Sequence, residues 1–265
     1  MIHVAISGAA GRMGRALARL VLEAEDLELC GALEAADHPA TGADAGTTAG
    51  AGACGIVIGH TLPETVDVLV DFSLPEGSVE RVEACAEAKV PCVVGTTGFT
   101  EAQRERLGAA AKATALVLSP NMSVGVNVLF HEAASLARTL GEDYDIEIVE
   151  AHHRHKKDAP SGTAVRLAEN ICAATGRDYR TDAIHGREGA VGARTKKEIG
   201  IHAVRAGDIV GDHTVIFCAE GERIELTHRA HTRDTFARGA LRAARFLAGK
   251  APGVYTMEDV LGSEE

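Results

Sequence analysis

The stretch Ile2-His3-Val4-Ala5-Ile6-Ser7-Gly8-Ala9-Ala10-Gly11-Arg12-Met13-Gly14 joins a short apolar run to a helix-like segment through a glycine-rich turn. Glycine lets the backbone turn tightly and approach a ligand closely. The unsatisfied N–H groups at the start of the following helix, and the helix dipole, favour an anion such as a pyrophosphate. The spacing is G-x-x-G-x-x-G and not G-x-G-x-x-G, so the turn alone carries two readings, a dinucleotide cradle or a structural tight turn. Glu34 favours the cradle. It ends the second predicted strand, 26 residues after Gly8, where an acidic side chain accepts hydrogen bonds from ribose hydroxyls.

Working outward, β-branched runs at 2–7, 27–33, 66–72, 90–95 and 115–118 alternate with helical segments at 12–24, 76–89 and 101–113. Repetition of strand, helix and strand at this spacing predicts parallel pairing with right-handed crossovers, one half of a doubly wound α/β fold. Residues 35–55, rich in Ala, Gly, Thr and Asp, have no clear period and read as a loop or weakly structured insertion. The character changes near residue 123. Helices are expected at 126–140 and 161–174 and a strand at 144–151. Alternating segments at 199–204, 213–219 and 223–227 suggest a meander of mostly antiparallel strands. A last helical segment, 235–248, precedes Gly249, a Pro252-Gly253 break and a short acidic tail.

The 265 residues carry 27 Lys and Arg against 38 Asp and Glu, a formal net charge of −11, with 46% hydrophobic residues, 3% aromatics and no Trp. Ala, Val, Ile and Leu must fill the core, as they do in parallel sheets and their covering helices. The acidic balance argues against nucleic acid, which needs a broad basic face. The six cysteines are scattered, have no C-x-x-C pair, and read as reduced core residues. The start of the chain lacks the charged head and long apolar middle of a signal peptide, and no apolar run approaches the roughly 18 residues of a membrane span. A cytoplasmic protein with no membrane partner is expected.

One cluster reverses the sign of the charge: His152-His153-Arg154-His155-Lys156-Lys157. It lies in the segment Glu147-Ile148-Val149-Glu150-Ala151-His152 through Asp158-Ala159-Pro160-Ser161-Gly162-Thr163-Ala164, which runs from a strand through a basic loop into a helix. Pro160 and Ser161 are helix-start signals, which puts the N–H groups of Gly162 and Thr163 in the first turn, where a carboxylate gains hydrogen bonds and the dipole. Histidine titrates near neutrality and lysine is a charged proton donor, so His152 and Lys156 suit proton transfer. The bland alternative is a solvated basic loop. A metal site is disfavoured because His152 and His155 lack i, i+4 spacing and no nearby cysteine completes a set; no metal is expected. His228 and His231 read as structural histidines, with recruitment to a site as the alternative reading.

Two further segments follow predicted strands, Gly95-Thr96-Thr97-Gly98-Phe99 and Ser119-Pro120-Asn121-Met122. Strand C-termini line the ligand crevice of open α/β sheets. Each segment is either cofactor-facing backbone or a shaped connection.

In this order the Gly8–Gly14 turn, the Gly95-Thr96-Thr97-Gly98 segment, the 147–164 segment and a later Arg205-Ala206-Gly207-Asp208-Ile209-Val210-Gly211-Asp212-His213 span almost the whole chain and resemble the dihydrodipicolinate reductase family. The resemblance implies a Rossmann-type doubly wound parallel-sheet domain binding NAD(P)H, residues 1–123 with 233–265. A mixed α/β substrate and oligomerisation domain, 124–232, is implied beside it. The implied product is a homotetramer acting in lysine and diaminopimelate biosynthesis on a small dicarboxylate imine, 4-hydroxy-tetrahydrodipicolinate. By the same resemblance Gly8, Ala9, Ala10, Gly11, Arg12, Met13, Glu34, Gly95, Thr96, Thr97, Ser119, Pro120, Asn121 and Met122 bind the cofactor. His153, Gly162 and Thr163 bind substrate, and His152 and Lys156 move protons. Some members place an arginine after the acidic residue to meet a 2′-phosphate, whereas Glu34 precedes Ala35 and Ala36 here. NADH is therefore expected to be preferred, with NADPH tolerated. Another nicotinamide-dependent dehydrogenase would call for a loop cysteine nucleophile, and a dinucleotide sensor would lack the His152 and Lys156 donors.

Overall fold

A computed structural model describes residues 1–262, and the acidic tail at 263–265 lies outside the described residues. The chain forms two compact units, Met1–Val124 with Arg233–Glu265, and Gly125–Thr232. The elements run β1 (Ile2–Ser7), α1 (Arg12–Leu22), β2 (Leu27–Leu33), α2 (Ala45–Ala49), β3 (Ile58–Gly59), β4 (Val68–Asp71), α3 (Pro75–Ala88), β5 (Cys92–Val94), α4 (Glu101–Ala110), β6 (Ala115–Leu118) and α5 (Val124–Leu140). They continue with β7 (Asp145–His152), α6 (Gly162–Thr175), α7 (Tyr179–Asp182), β8 (Ala183–His185), β9 (Ile199–Arg205), β10 (Gly211–Ala219) and β11 (Glu222–Ala230), then α8 (Asp234–Leu247), β12 (Gly253–Tyr255) and α9 (Met257–Gly262).

In the first unit seven parallel strands lie in the order β12-β6-β5-β4-β1-β2-β3. The chain winds outward from β1 to β3, then crosses to β4 and winds the other way, so the sheet is doubly wound and Rossmann-type. The switch point lies between β1 and β4, whose C-terminal ends carry Gly8 and Phe72. All four residues of β4 are buried, as a strand covered on both faces requires. One face packs Val4, Ile6, Val68, Val70 and Val93 with Leu17 and Val21 of α1 and Ala240, Ala244 and Leu247 of α8. The other packs Leu69, Cys92 and Val94 with Val79, Val82 and Leu107. Each fully buried Val or Leu contributes about 1.5–3 kcal/mol.

The second unit has a five-stranded sheet, β11-β10-β7-β9-β8. Strand β10 is antiparallel to β7 and β11, while β9 is parallel to β7 and β8. Leu129, Phe130 and Ala133 of α5 and Leu167 and Ile171 of α6 pack on Ile146, Ile148, Ile201, Val215 and Phe217 of this sheet.

Three expectations need correction. The last strands do not form a mostly antiparallel meander: β7 sits between β9 and β10, and β9 pairs in parallel. Alternation reports a half-buried face and carries no information on strand direction. The 35–55 insertion holds α2, whose N-cap Asp44 accepts the amide of Thr47 at 2.7 Å and that of Gly55 at 2.8 Å; five residues are too few to show a period. Cys218 is exposed, whereas Cys85, Cys92 and Cys172 are buried; all six cysteines are free.

Candidate active site

The first unit builds its site on the turn after β1. Gly8 has φ +77°, and a Cβ there would lie 2.4 Å from the carbonyl oxygen of Phe72; at Gly14 it would lie 2.1 Å from that of Gly8. Only glycine lets the turn, β4 and α1 approach this closely. Gly8 and Ala9 donate to the Leu33 carbonyl, which ties the turn to the end of β2. The next residue, Glu34, accepts the Ala10 amide on Oε1 at 2.7 Å. Helix α1 starts after Gly11 with no side-chain cap and no acidic residue in its first turn, and Gly11 and Arg12 are exposed. Its opening amides have no intrahelical acceptor and face no negative charge of their own helix, the arrangement an anion fills. Met13 packs against the core.

Asp71, at the end of β4, is 0% exposed. Its carboxylate accepts the hydroxyls of Ser73 and Thr96, both at 2.7 Å, and Thr96 Oγ accepts the Ser73 amide at 3.0 Å. One buried carboxylate thus joins the loops after β4 and β5. The Phe72 ring lies over Gly95, where a Cβ would come within 2.2 Å of it, and Thr97 remains exposed. After β6, Ser119 Oγ donates to the Asn121 carbonyl at 2.9 Å, and Asn121 Oδ1 accepts the Ser123 amide at 2.9 Å. Pro120 is exposed; Met122 is buried, with its carbonyl against Gly239 of α8.

In the second unit β7 turns Ile146, Ile148, Glu150 and His152 to the same buried face. Glu150 is 0% exposed and His152 9%. Glu150 Oε2 accepts from His152 Nδ1 at 2.6 Å and from Arg205 at 2.8 Å; Oε1 accepts from Arg205 at 2.7 Å and from the Ser161 amide at 3.0 Å. Ser161 caps α6, its Oγ accepting the Ala164 amide at 3.2 Å and lying 3.1 Å from His213 Nε2. His213 stands edge-on to His152, ring centroids 5.1 Å apart. Lys156 Nζ pairs with Asp158 at 2.9 Å. The Nδ1 atom of His153 is buried with no hydrogen-bond partner. Gly162 and Thr163 open α6, as the capping signals predict.

Burial pushes the His152 pKa down against the opposing pull of Glu150, and Lys156 and Arg205 add to the lowering. Burial and the neighbouring His152 push His213 down to about 3. Burial would raise Glu150, but Arg205, His152 and the Ser161 amide outweigh it and hold it below the usual range. His152 at rest is therefore neutral beside an ionised carboxylate.

Within the first unit the structure gathers Gly8–Met13 and Glu34 at one turn, and Gly95–Thr97 at a loop held by Asp71. Within the second it joins His152, Lys156, Gly162 and Thr163 through a single loop. His228 faces His213 across β10 and β11, while His231 is exposed beyond the strand. Sequence reading did not single out Asp71 or Ser73, and it quoted Glu150, Arg205 and His213 within motifs without giving them a role. Glu150 was open to detection, because it occupies an inward position in an alternating strand. Among the described residues no group of three or more His, Cys, Asp or Glu is arranged to hold a metal ion, and no helix is long and apolar enough to cross a membrane.

A family model described as dihydrodipicolinate reductase, N-terminus, matches residues 2–122, and one described as dihydrodipicolinate reductase, C-terminus, matches residues 125–261. A relative from Syntrophotalea carbinolica, named 4-hydroxy-tetrahydrodipicolinate reductase, is 54% identical over 265 residues, 99% of each chain. One of the same name from Citrifermentans bemidjiense is 53% identical with the same coverage. Among solved structures, dipicolinate-bound dihydrodipicolinate reductase from Paenisporosarcina sp. TG-14 matches with a TM-score of 0.76 at 27% identity, over 98% of each chain. Since both the nucleotide-type sheet and the His152 segment fall inside these matches, the chain belongs to the dihydrodipicolinate reductase family.

Proposed function

We propose that His152 and Lys156 are the proton-transfer pair of this reductase, an NAD(P)H-dependent oxidoreductase of lysine and diaminopimelate biosynthesis that reduces 4-hydroxy-tetrahydrodipicolinate to tetrahydrodipicolinate. The observation that carries the assignment is the loop 153–161, which joins buried His152 at the end of β7 to the Ser161-capped start of α6 with Lys156 between them.

The first unit fits a dinucleotide, because its turn has no room for a Cβ and the α1 amides are left uncapped. Gly8, Ala9, Ala10, Gly11, Arg12, Met13 and Glu34 would hold the pyrophosphate and ribose, and Gly95, Thr96, Thr97, Ser119, Pro120, Asn121 and Met122 the nicotinamide end. Bound there, NAD(P)H supplies the hydride. The dicarboxylate substrate places one carboxylate on the Gly162 and Thr163 amides, beside His153 and the basic loop. If the 4-hydroxy form binds, water leaves first. Reduction of the conjugated imine drives electrons towards the ring nitrogen, and the Lys156 ammonium stabilises that charge and supplies the proton. His152 gives its Nδ1–H to Glu150, which leaves Nε2 as the lone pair that takes up and returns a proton.

The finer assignments are part of the same reading. Residues 1–123 with 233–265 bind the dinucleotide, and 124–232 bind substrate and oligomerise. NADH is preferred, and four copies assemble in the cytoplasm with no nucleic-acid or membrane partner. Sedimentation equilibrium at a single-chain mass would overturn the four-copy assembly. The proton-transfer assignment is tested by following NADH absorbance with the condensation product of pyruvate and aspartate semialdehyde. The His152→Gln enzyme should lose kcat while keeping its NADH affinity, and undiminished turnover would remove His152 from the mechanism.

A further inference from the structure

We propose that Glu150 is a positioning residue for the reduction: clamped by Arg205, its carboxylate fixes the Nδ1–H tautomer of His152 and, through Ser161, the start of α6. The inference rests on His152 being a proton-transfer group, as read above.

A fully buried ionised carboxylate offers about four lone-pair positions and no donor. Glu150 uses all four: Arg205 takes one on each oxygen, His152 one on Oε2 and the Ser161 amide one on Oε1. Because Glu150 only accepts, the 2.6 Å contact requires Nδ1 to carry the proton, so Nε2 is the nitrogen left for chemistry. A Cβ at Gly211 would sit 3.1 Å from that Nε2, so glycine keeps a side chain away from it. The same carboxylate orients the amide of the α6 cap, so the proton-transfer group and the helix start that takes the substrate carboxylate share one anchor. Arg205 also donates to the Asp158 carbonyl at 2.7 Å, which ties this anchor to the loop carrying Lys156.

Arg205 has a second consequence. Burial lowers the His152 pKa against the pull of Glu150, and the Arg205 guanidinium adds to the lowering by offsetting the carboxylate's charge. The charged or titratable groups facing His152 are Glu150 on its own strand, Arg205 on β9, His213 on β10 with His228 behind it on β11, and Lys156 and Asp158 on the following loop. Removing Arg205 and removing Glu150 must therefore move the His152 titration in opposite directions.

The test is 15N NMR of the imidazoles in the full-length protein, with His152 assigned by its loss in His152→Gln. The wild-type ring should show the Nδ1–H tautomer; an Nε2–H tautomer overturns the proposal. The His152 midpoint should rise in Arg205→Met and fall in Glu150→Gln. Unmoved midpoints, or both moving the same way, also overturn it. In steady-state assays Glu150→Gln should lower kcat roughly tenfold or more with the KM for NADH unchanged, and Glu150→Asp should recover part of the loss. Undiminished kcat rejects the positioning role. If His152→Gln itself retains turnover, the proton-transfer reading fails, while the tautomer and midpoints still decide whether Glu150 orients the ring.

Discussion

Glu34 Oε1 accepts the Ala10 amide at 2.7 Å, so the acidic residue at the end of β2 is built into the glycine turn. The carboxylate keeps lone pairs for ribose hydroxyls, whereas a 2′-phosphate there would meet a like charge. Exposed Ala35 and Ala36 supply no cation. Arg81, whose guanidinium donates to the Glu34 carbonyl at 3.1 Å, and exposed Arg12 supply some positive potential, so NADPH should still be used, at lower efficiency. The ratio of kcat/KM for NADH to that for NADPH should exceed one and should fall in Glu34→Gln. A wild-type advantage for NADPH on the order of tenfold, about 1.4 kcal/mol, would sink this assignment.

Lys156 Nζ lies 2.9 Å from Asp158, so the ammonium is held in place on the basic loop. Lys156→Ala should lower kcat by roughly 100- to 1,000-fold while leaving NADH binding near wild type. Lys156→Arg separates charge from proton donation, since arginine keeps the cation and yields no proton near neutrality. It should recover substrate KM more than kcat. Equal recovery of both would make Lys156 a binding group only.

The first unit was legible because its signals are local. A strand, a glycine turn and a helix within residues 2–22 fix the parallel α/β plan, and the basic loop announces itself by charge. The unread parts are long-range. Arg205 meets Glu150 across 55 residues of sequence, and Thr96 meets Asp71 across 25. Neither partner carries a mark of the other. Glu150 and Asp71 do carry a mark of their own, a carboxylate where the strand pattern calls for an apolar residue, which is costly unless paired. Strand direction in the second sheet was hidden for a different reason: β9 reads the same whether β7 or β10 lies beside it.

Gly239 illustrates a packing constraint that composition conceals. It lies on α8, and a Cβ there would fall 1.7 Å from the Met122 carbonyl oxygen, a backbone atom with little freedom to move. Gly239→Ala should destabilise the protein by about 1–3 kcal/mol, lower Tm by roughly 3–10 °C, and weaken NADH binding by shifting the Ser119–Met122 segment. Gly108 on α4 faces open space, so Gly108→Ala should be neutral or raise stability by up to about 1 kcal/mol. Equal Tm changes in the two variants would show that helix propensity, and not close approach to Met122, governs the Gly239 position.

His213 gives stability a pH dependence whose sign follows from its burial. The ring is 3% exposed, and burial with the nearby His152 lowers its pKa to about 3. An unfolded histidine titrates near pH ~6.5. Between these values the unfolded chain binds a proton that the folded chain refuses, so stability is full above about pH 6.5 and falls as pH drops, by about 1.4 kcal/mol per pH unit. From about pH 6.5 to about pH 5 this one group removes about 2 kcal/mol. His152 and His228, also lowered by burial, act in the same direction. His213→Gln removes the titration while leaving a polar group to meet Ser161, so urea unfolding at about pH 7 and about pH 5 should show a loss smaller by about 2 kcal/mol than in the wild type. Equal losses in the two proteins would mean that His213 becomes protonated in the folded state without cost, contrary to its buried position against His152.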